Sequence, residues 1–103
     1  MNTTTPVLKI DANFKIISWN TSAEEFLKNT FNKSPKRQSS LKEIFPPELW
    51  TEFREDFEAN QGVFHNFIAF SKTKALEVFS NICLDDEENV SNYCVSIKVV
   101  APK

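Results

Sequence analysis

Two short runs rich in apolar and β-branched residues open the chain. They are Val7–Ile10 and 14–19, and the segment between them contains Asp11 and Asn13, residue types that are common in tight turns. Short apolar runs broken by such a segment are typical of paired antiparallel strands. The pattern predicts a β-hairpin near the start of the domain.

The spacing of apolar residues then changes to the helical period. One helical face is formed by Ala23, Phe26, Leu27, Thr30 and Phe31. A capping box, in which a hydroxyl and a carboxylate satisfy each other's backbone N–H groups, is offered by Thr21 with Glu24 or by Ser22 with Glu25. Asn20, Thr21 and Ser22 thus end the strand pattern and offer the cap at which we expect a helix to begin.

A second helical pattern lies beyond a polar, basic loop over 32–40. A short apolar turn over 41–45 follows that loop and ends at a proline pair, whose second member, Pro47, suits the first turn of a helix. The apolar stripe of this helix consists of Leu49, Trp50, Phe53 and Phe57. We expect the helix to run to about Asn60 and to stop at Gly62.

From residue 64 onward, large apolar residues recur at alternate positions. The alternating apolar positions are Phe64, Ile68 and Phe70, then Leu76, Val78, Ile82 and Leu84, and finally Tyr93, Val95, Ile97 and Val99. An acidic turn over 85–89 separates the last two runs, so this part predicts three antiparallel strands. The complete order predicts an α+β domain in which a five-stranded antiparallel sheet carries helices on one face.

Two polar residues, Asn66 and Ser80, fall among the positions that we expect to be buried under the helices. Each needs a partner, because a buried amide or hydroxyl without one costs roughly 1–3 kcal/mol. One interpretation is mutual or backbone hydrogen bonding, or a trapped water. The other is that the two residues orient a small ligand. The candidate ligand site then consists of Phe45, Phe53, Phe57, Asn66, Ser80 and Tyr93.

Composition and charge narrow the class of protein. The 103 residues carry 12 Lys and Arg against 14 Asp and Glu, and 41% of them are hydrophobic. This is typical of one globular domain over 1–103, with 1–6 as a flexible N-terminal segment and 101–103 as a tail. The acidic balance argues against nucleic-acid binding. Without a long apolar run or a signal-peptide pattern, we expect a cytoplasmic protein with no membrane contact within this chain.

The chain contains few residues of the types that bind metals or act as nucleophiles. Its two Cys and one His form no metal-binding or nucleophile motif, so we predict neither a metal site nor catalytic residues. If the last hairpin places Cys83 directly opposite Cys94, their Cβ atoms lie roughly 4.5–5.5 Å apart. Two reduced thiols are the favoured interpretation, and a redox pair is the alternative.

The order and spacing of the elements resemble the PAS domain, the sensory-box module of bacterial and eukaryotic signalling proteins. The segments that carry the resemblance are 7–11, 13–20, 21–27 and 40–48. The resemblance extends over about 7–100. It implies a sensory or regulatory module joined to an output domain, for example in a sensor histidine kinase of a two-component system or in a transcriptional regulator.

Members of this family differ in what they bind. In haem-binding members the axial His usually lies on the long helix, whereas here 48–60 contain no His and His65 follows that helix. Flavin light sensors need a Cys in the short helical region, and 39–45 contain none. We therefore predict no cofactor, and both haem and covalent flavin chemistry are disfavoured. An unidentified small ligand is the remaining possibility for this family.

We expect a non-catalytic module that binds a small ligand or mediates dimerisation and signal transmission. Phe79 and Phe67 lie on the parity opposite to the predicted core and indicate an aromatic outer sheet face, through which PAS-like modules often form homodimers. One alternative is a protein–protein interaction domain with a filled core. The other is a small isomerase- or dehydratase-like enzyme, for which His65 is the candidate residue.

Overall fold

The computed structural model describes residues 5–69, 74–84 and 91–100, and of Leu84 and Ser91 it describes the backbone alone. The predicted strand position of Phe70 and the predicted acidic turn over 85–89 lie outside the described residues.

The described residues form five strands and three helices in the predicted order. The elements are β1 (Val7–Ile10), β2 (Ile16–Trp19), α1 (Thr21–Phe31), α2 (Leu41–Ile44), α3 (Pro47–Ala59), β3 (Phe64–Ala69), β4 (Ala75–Leu84) and β5 (Ser91–Val100). The sheet has the order β2-β1-β5-β4-β3, and all neighbouring strands are antiparallel. The predicted α+β architecture is confirmed. The last strand lies at the centre of the sheet, between the N-terminal hairpin and β4.

The register of the β4–β5 hairpin differs from the predicted one. Cys83 lies opposite Asn92, and Cys94 lies opposite Asn81, so the expected direct pairing of the two cysteines is wrong by two positions. Hairpin register depends on the geometry of the turn, which strand alternation does not specify. A shift of two positions restores the same side of the pleat, and the predicted faces are therefore unchanged.

Helix α1 is capped by Asn20, the first of the three residues that the sequence offers as a cap. The N-cap residue is Asn20, whose Oδ1 accepts a hydrogen bond of 2.8 Å from the backbone N–H of Ala23. The same oxygen accepts a bond from Val7 N at 3.1 Å, and Nδ2 donates to the carbonyl oxygen of Thr5 at 2.9 Å. The predicted capping boxes at Thr21 and Ser22 are wrong, because Asn20 caps the helix and also holds the start of β1.

The second helical region follows the prediction more closely. A capping box that we did not predict, formed by Ser40 and Glu43, starts α2. Helix α3 begins at Pro47 and ends at Ala59, and Gly62 follows with a φ of 84°. That left-handed conformation suits glycine, and the Gly62 N–H donates to the Phe57 carbonyl at 2.8 Å to close the helix end.

The core lies between the helices and one face of the sheet, which we call the inner face. Its largest fully buried side chains are Phe53, Leu8, Ile10, Ile16, Leu27, Leu41, Leu76, Ile97, Val78 and Val95. The predicted inner stripe is longer than the helical layer that covers it, because Ile82 and Val99 are 45% and 39% exposed. The interior is therefore closed over the middle of β4 and β5.

Candidate functional site

Four of the six predicted ligand residues form a continuous aromatic layer in the interior. Phe53 packs against Phe45 and Phe57 with ring centroids 5.7 and 6.0 Å apart, and Phe57 meets Tyr93 at 4.7 Å. Phe45, Phe53 and Phe57 are at most 6% exposed. The rings contact one another directly, so they build the core whether or not a ligand joins them.

Phe14 belongs to the same layer, which strand alternation did not indicate. Its ring centroid lies 4.8 Å from that of Phe57 and 5.0 Å from that of Trp50. Phe14 has a φ of 66°, a left-handed conformation that costs roughly 1–2 kcal/mol for a residue with a Cβ atom. The turn after β1 thus directs an aromatic ring towards α3, and the spacing of apolar residues carries no signal for such a turn.

Ser80 is buried and has a backbone partner. Its side chain is 3% exposed, and Oγ donates a hydrogen bond of 2.7 Å to the carbonyl oxygen of Gly62. A Cβ atom at Gly62 would overlap the ring of Tyr93, so the backbone at this point approaches the aromatic layer as only glycine allows. Of the two interpretations of Ser80, hydrogen bonding to the backbone is therefore enough to explain its burial.

Asn66 lies at the rim of the core and not inside it. Its Nδ2 donates a hydrogen bond of 2.6 Å to Oδ2 of Asp56, which links β3 to α3. The side chain is half-buried and borders an open cleft of about 400 Å³ with Glu52 and Glu55. The structure therefore buries Phe45, Phe53, Phe57 and Ser80, packs the half-buried Tyr93 against them, and leaves Asn66 beside an acidic helix surface. Ligand binding by the six stays a prediction.

The opposite side of the sheet, the outer face, carries His65. This ring stacks on Phe79 with centroids 3.9 Å apart and an interplanar angle of 8°, and Nε2 lies 2.8 Å from Oε2 of Glu77. Phe67 and Phe79 are 57% and 45% exposed, as the predicted aromatic outer face requires. A His, a carboxylate and two exposed rings thus share one surface of β3 and β4.

The two cysteines also lie on the outer face, and they are bonded to each other. The Cys83–Cys94 disulfide joins β4 to β5, with Cα atoms 5.9 Å apart. The favoured interpretation of two reduced thiols is therefore wrong for this structure. A diagonal cross-strand position brings two Cα atoms close enough for a disulfide even though the residues are not directly opposite.

Neither a metal-binding cluster nor a membrane-spanning helix is found in the part of the chain that the structure describes. In the ranges 5–69, 74–84 and 91–100, no group of three or more His, Cys, Asp or Glu side chains is close enough to hold a metal ion. None of the helices described is long and apolar enough to cross a membrane.

Several solved structures have a similar fold. A sensory box sensor histidine kinase from Vibrio cholerae has a TM-score of 0.65 at 8% identity, over 97% of this chain and 84% of that chain. A domain of an HTR-like protein from Haloarcula marismortui has a TM-score of 0.66 at 12% identity, over 92% and 96% of the two chains. The chain has a PAS-like fold.

A third similar structure comes from a much longer protein. Histidine kinase ThkA, solved in complex with the response regulator protein TrrA, has a TM-score of 0.62 at 19% identity. The match covers 92% of this chain but 28% of ThkA. Neither family models nor curated proteins match the sequence. The PAS-like architecture is thus shared at sequence identities that carry information about the fold alone.

Proposed function

We propose that this PAS-like domain is a non-catalytic, cytoplasmic sensory or regulatory module that forms a homodimer through its outer sheet face. The observation that carries the proposal is the contrast between a filled aromatic interior and an outer face with two exposed Phe side chains. Exposed aromatic patches generally mark interaction surfaces.

The position of β5 supports a role in transmission. This strand lies at the centre of the sheet, where it pairs with β1 and with β4, and it ends the described part of the chain. A partner that contacts the outer face therefore contacts the strand that leads towards the C-terminus. An output domain such as a histidine kinase would receive the signal there, in keeping with the kinases that share the fold.

Sedimentation velocity up to high micromolar concentration tests the dimer, with a matched pair of variants in β4. Phe79 and Ile82 are each 45% exposed but lie on opposite faces of the strand. We expect Phe79→Glu to yield monomers, because a carboxylate on each copy would be buried against the other. Ile82→Glu should leave the dimer intact. A monomeric wild-type protein, or equal effects of both substitutions, would contradict the proposal.

Native mass spectrometry of the protein as purified distinguishes a sensor from a pure interaction domain. A small molecule retained in the folded protein supports ligand binding, and loss of that molecule on Phe53→Leu would locate it in the aromatic layer. An empty domain that still dimerises supports the interaction domain with a filled core, for which the close ring packing is the favourable observation.

A further inference from the structure

A row of paired residues crosses the outer face of the sheet next to the disulfide. Ser18 lies opposite Lys9 in the β2–β1 pair, and Lys9 lies opposite Cys94 in the β1–β5 pair. Directly opposite side chains on one face have Cβ atoms roughly 4.5–5.5 Å apart. The fold therefore places the cationic side chain of Lys9 opposite that of Cys94 on the outer face.

An open cleft leads to the same sulfur. It has a volume of about 310 Å³ and is lined by Val7, Lys9, Ser18, Trp19, Asn20 and Cys94. Cys94 itself is half-buried. A small thiol that enters this cleft meets Cys94 beside Lys9.

We propose that Cys83 and Cys94 form a reversible thiol–disulfide exchange site, in which Cys94 is the sulfur that reacts with a low-molecular-mass thiol or disulfide and Cys83 is the resolving residue. The reacting sulfur and Lys9 lie on β5 and β1, whereas the exposed rings of Phe67 and Phe79 lie on β3 and β4, so the proposal depends neither on the dimer nor on the sensory role. Its basis is the bonded pair, the cleft at Cys94 and the adjacent Lys9.

The exchange needs no oxidant or reductant other than the small disulfide or the small thiols. In oxidation, the Cys94 thiolate attacks an external disulfide, which forms a mixed disulfide on Cys94 and releases one small thiolate. The Cys83 thiolate then attacks the Cys94 sulfur, closes the protein disulfide and releases the second small thiolate. Reduction follows the same steps in reverse, so two small thiols become one small disulfide.

Lys9 gives the two sulfurs different reactivity. A thiolate, and not a thiol, is the nucleophile, and a nearby cation favours the thiolate form. Lys9 does not react itself, but its positive charge favours the thiolate form of Cys94 over that of Cys83. Lys98 provides the matched comparison, because it lies on the same outer face of β5 but four residues from Cys94, opposite Glu77.

The first test uses the wild-type protein in buffers with different ratios of reduced to oxidised glutathione. After alkylation, intact-mass spectrometry counts the free thiols. We expect a reversible change between none and two free thiols, with a mixed glutathione adduct trapped by rapid acid quenching. Two thiols that stay free at every ratio, or a disulfide that stays closed at every ratio, would overturn the proposal.

The second test assigns the roles of the two sulfurs. We expect Cys83→Ser, which retains Cys94, to form its mixed disulfide with oxidised glutathione at least about fivefold faster than Cys94→Ser does. In the Cys83→Ser background, Lys9→Met should slow the reaction about threefold to tenfold, and Lys98→Met should change it less than about twofold. Equal rates for the two single-cysteine variants, or equal effects of the two lysine substitutions, would refute the assignment. Circular dichroism checks that each variant is folded.

Discussion

The inner and outer faces of the sheet are built from the same strands but have opposite properties. Along β4, Leu76 and Val78 are at most 1% exposed, whereas Phe79, their neighbour on the other face, is 45% exposed. The inner face is sealed by helices and rings that contact one another. The outer face holds the His65–Glu77 pair, exposed aromatic rings and the disulfide.

This difference indicates where new interactions can occur at low cost. A ligand in the interior must displace rings that already pack at centroid distances of 4.7–6.0 Å, whereas a partner on the outer face meets side chains that are already exposed. Close-packed interiors resist added volume. The outer face is therefore the surface on which we place both proposals for this protein.

The largest expected difference in stability is between substitutions of two phenylalanines, one on each face of the sheet. Phe53 is fully buried and Phe67 is 57% exposed. We expect Phe53→Ala to lower the free energy of unfolding by about 3–5 kcal/mol, because it leaves a cavity in the core. Phe67→Ala should change it by less than about 0.5 kcal/mol. Urea unfolding followed by fluorescence measures both, and equal losses would contradict the assignment of faces.

A smaller difference is expected for one serine on each face. Ser80→Ala removes the donor to the buried Gly62 carbonyl and should cost about 1–3 kcal/mol. Ser96 lies on the outer face of β5 and is half-buried, so Ser96→Ala serves as the control and should cost less. The same unfolding measurement applies. A neutral Ser80→Ala substitution would show that the hydrogen bond to Gly62 adds nothing to stability.

The smallest effect is expected for the hydrogen-bonded His65–Glu77 pair on the outer face. Glu77→Gln weakens the interaction with His65, and we expect a loss below about 1 kcal/mol because His65 lies at the surface. Salt screens exposed charges, so at a pH at which His65 is protonated the difference from wild type should shrink further when salt is raised to about 1 M. Thermal unfolding at two salt concentrations checks this. A loss as large as that of Ser80→Ala would mean that the pair is not a surface interaction.

The parts of the candidate site that depend on the strand or helix period of apolar residues could be predicted from the sequence. The burial of Ser80 and the inward direction of Phe53 and Phe57 follow from periodicity alone. The inward position of Phe14 and the rim position of Asn66 do not. Each depends on a local backbone turn or on a partner from another element, Asp56 in the case of Asn66.

By itself, the sequence determined the order of the elements, the helical stripes and the side of the sheet to which the residues of the last three strands point. These features follow from the periods of helix and strand, which any short stretch of sequence contains. Only the tertiary structure decided the register of the last hairpin, the cap at Asn20, the disulfide and the row from Ser18 through Lys9 to Cys94. Such features join residues that are distant in the chain, and their geometry depends on how turns and neighbouring strands place one segment beside another.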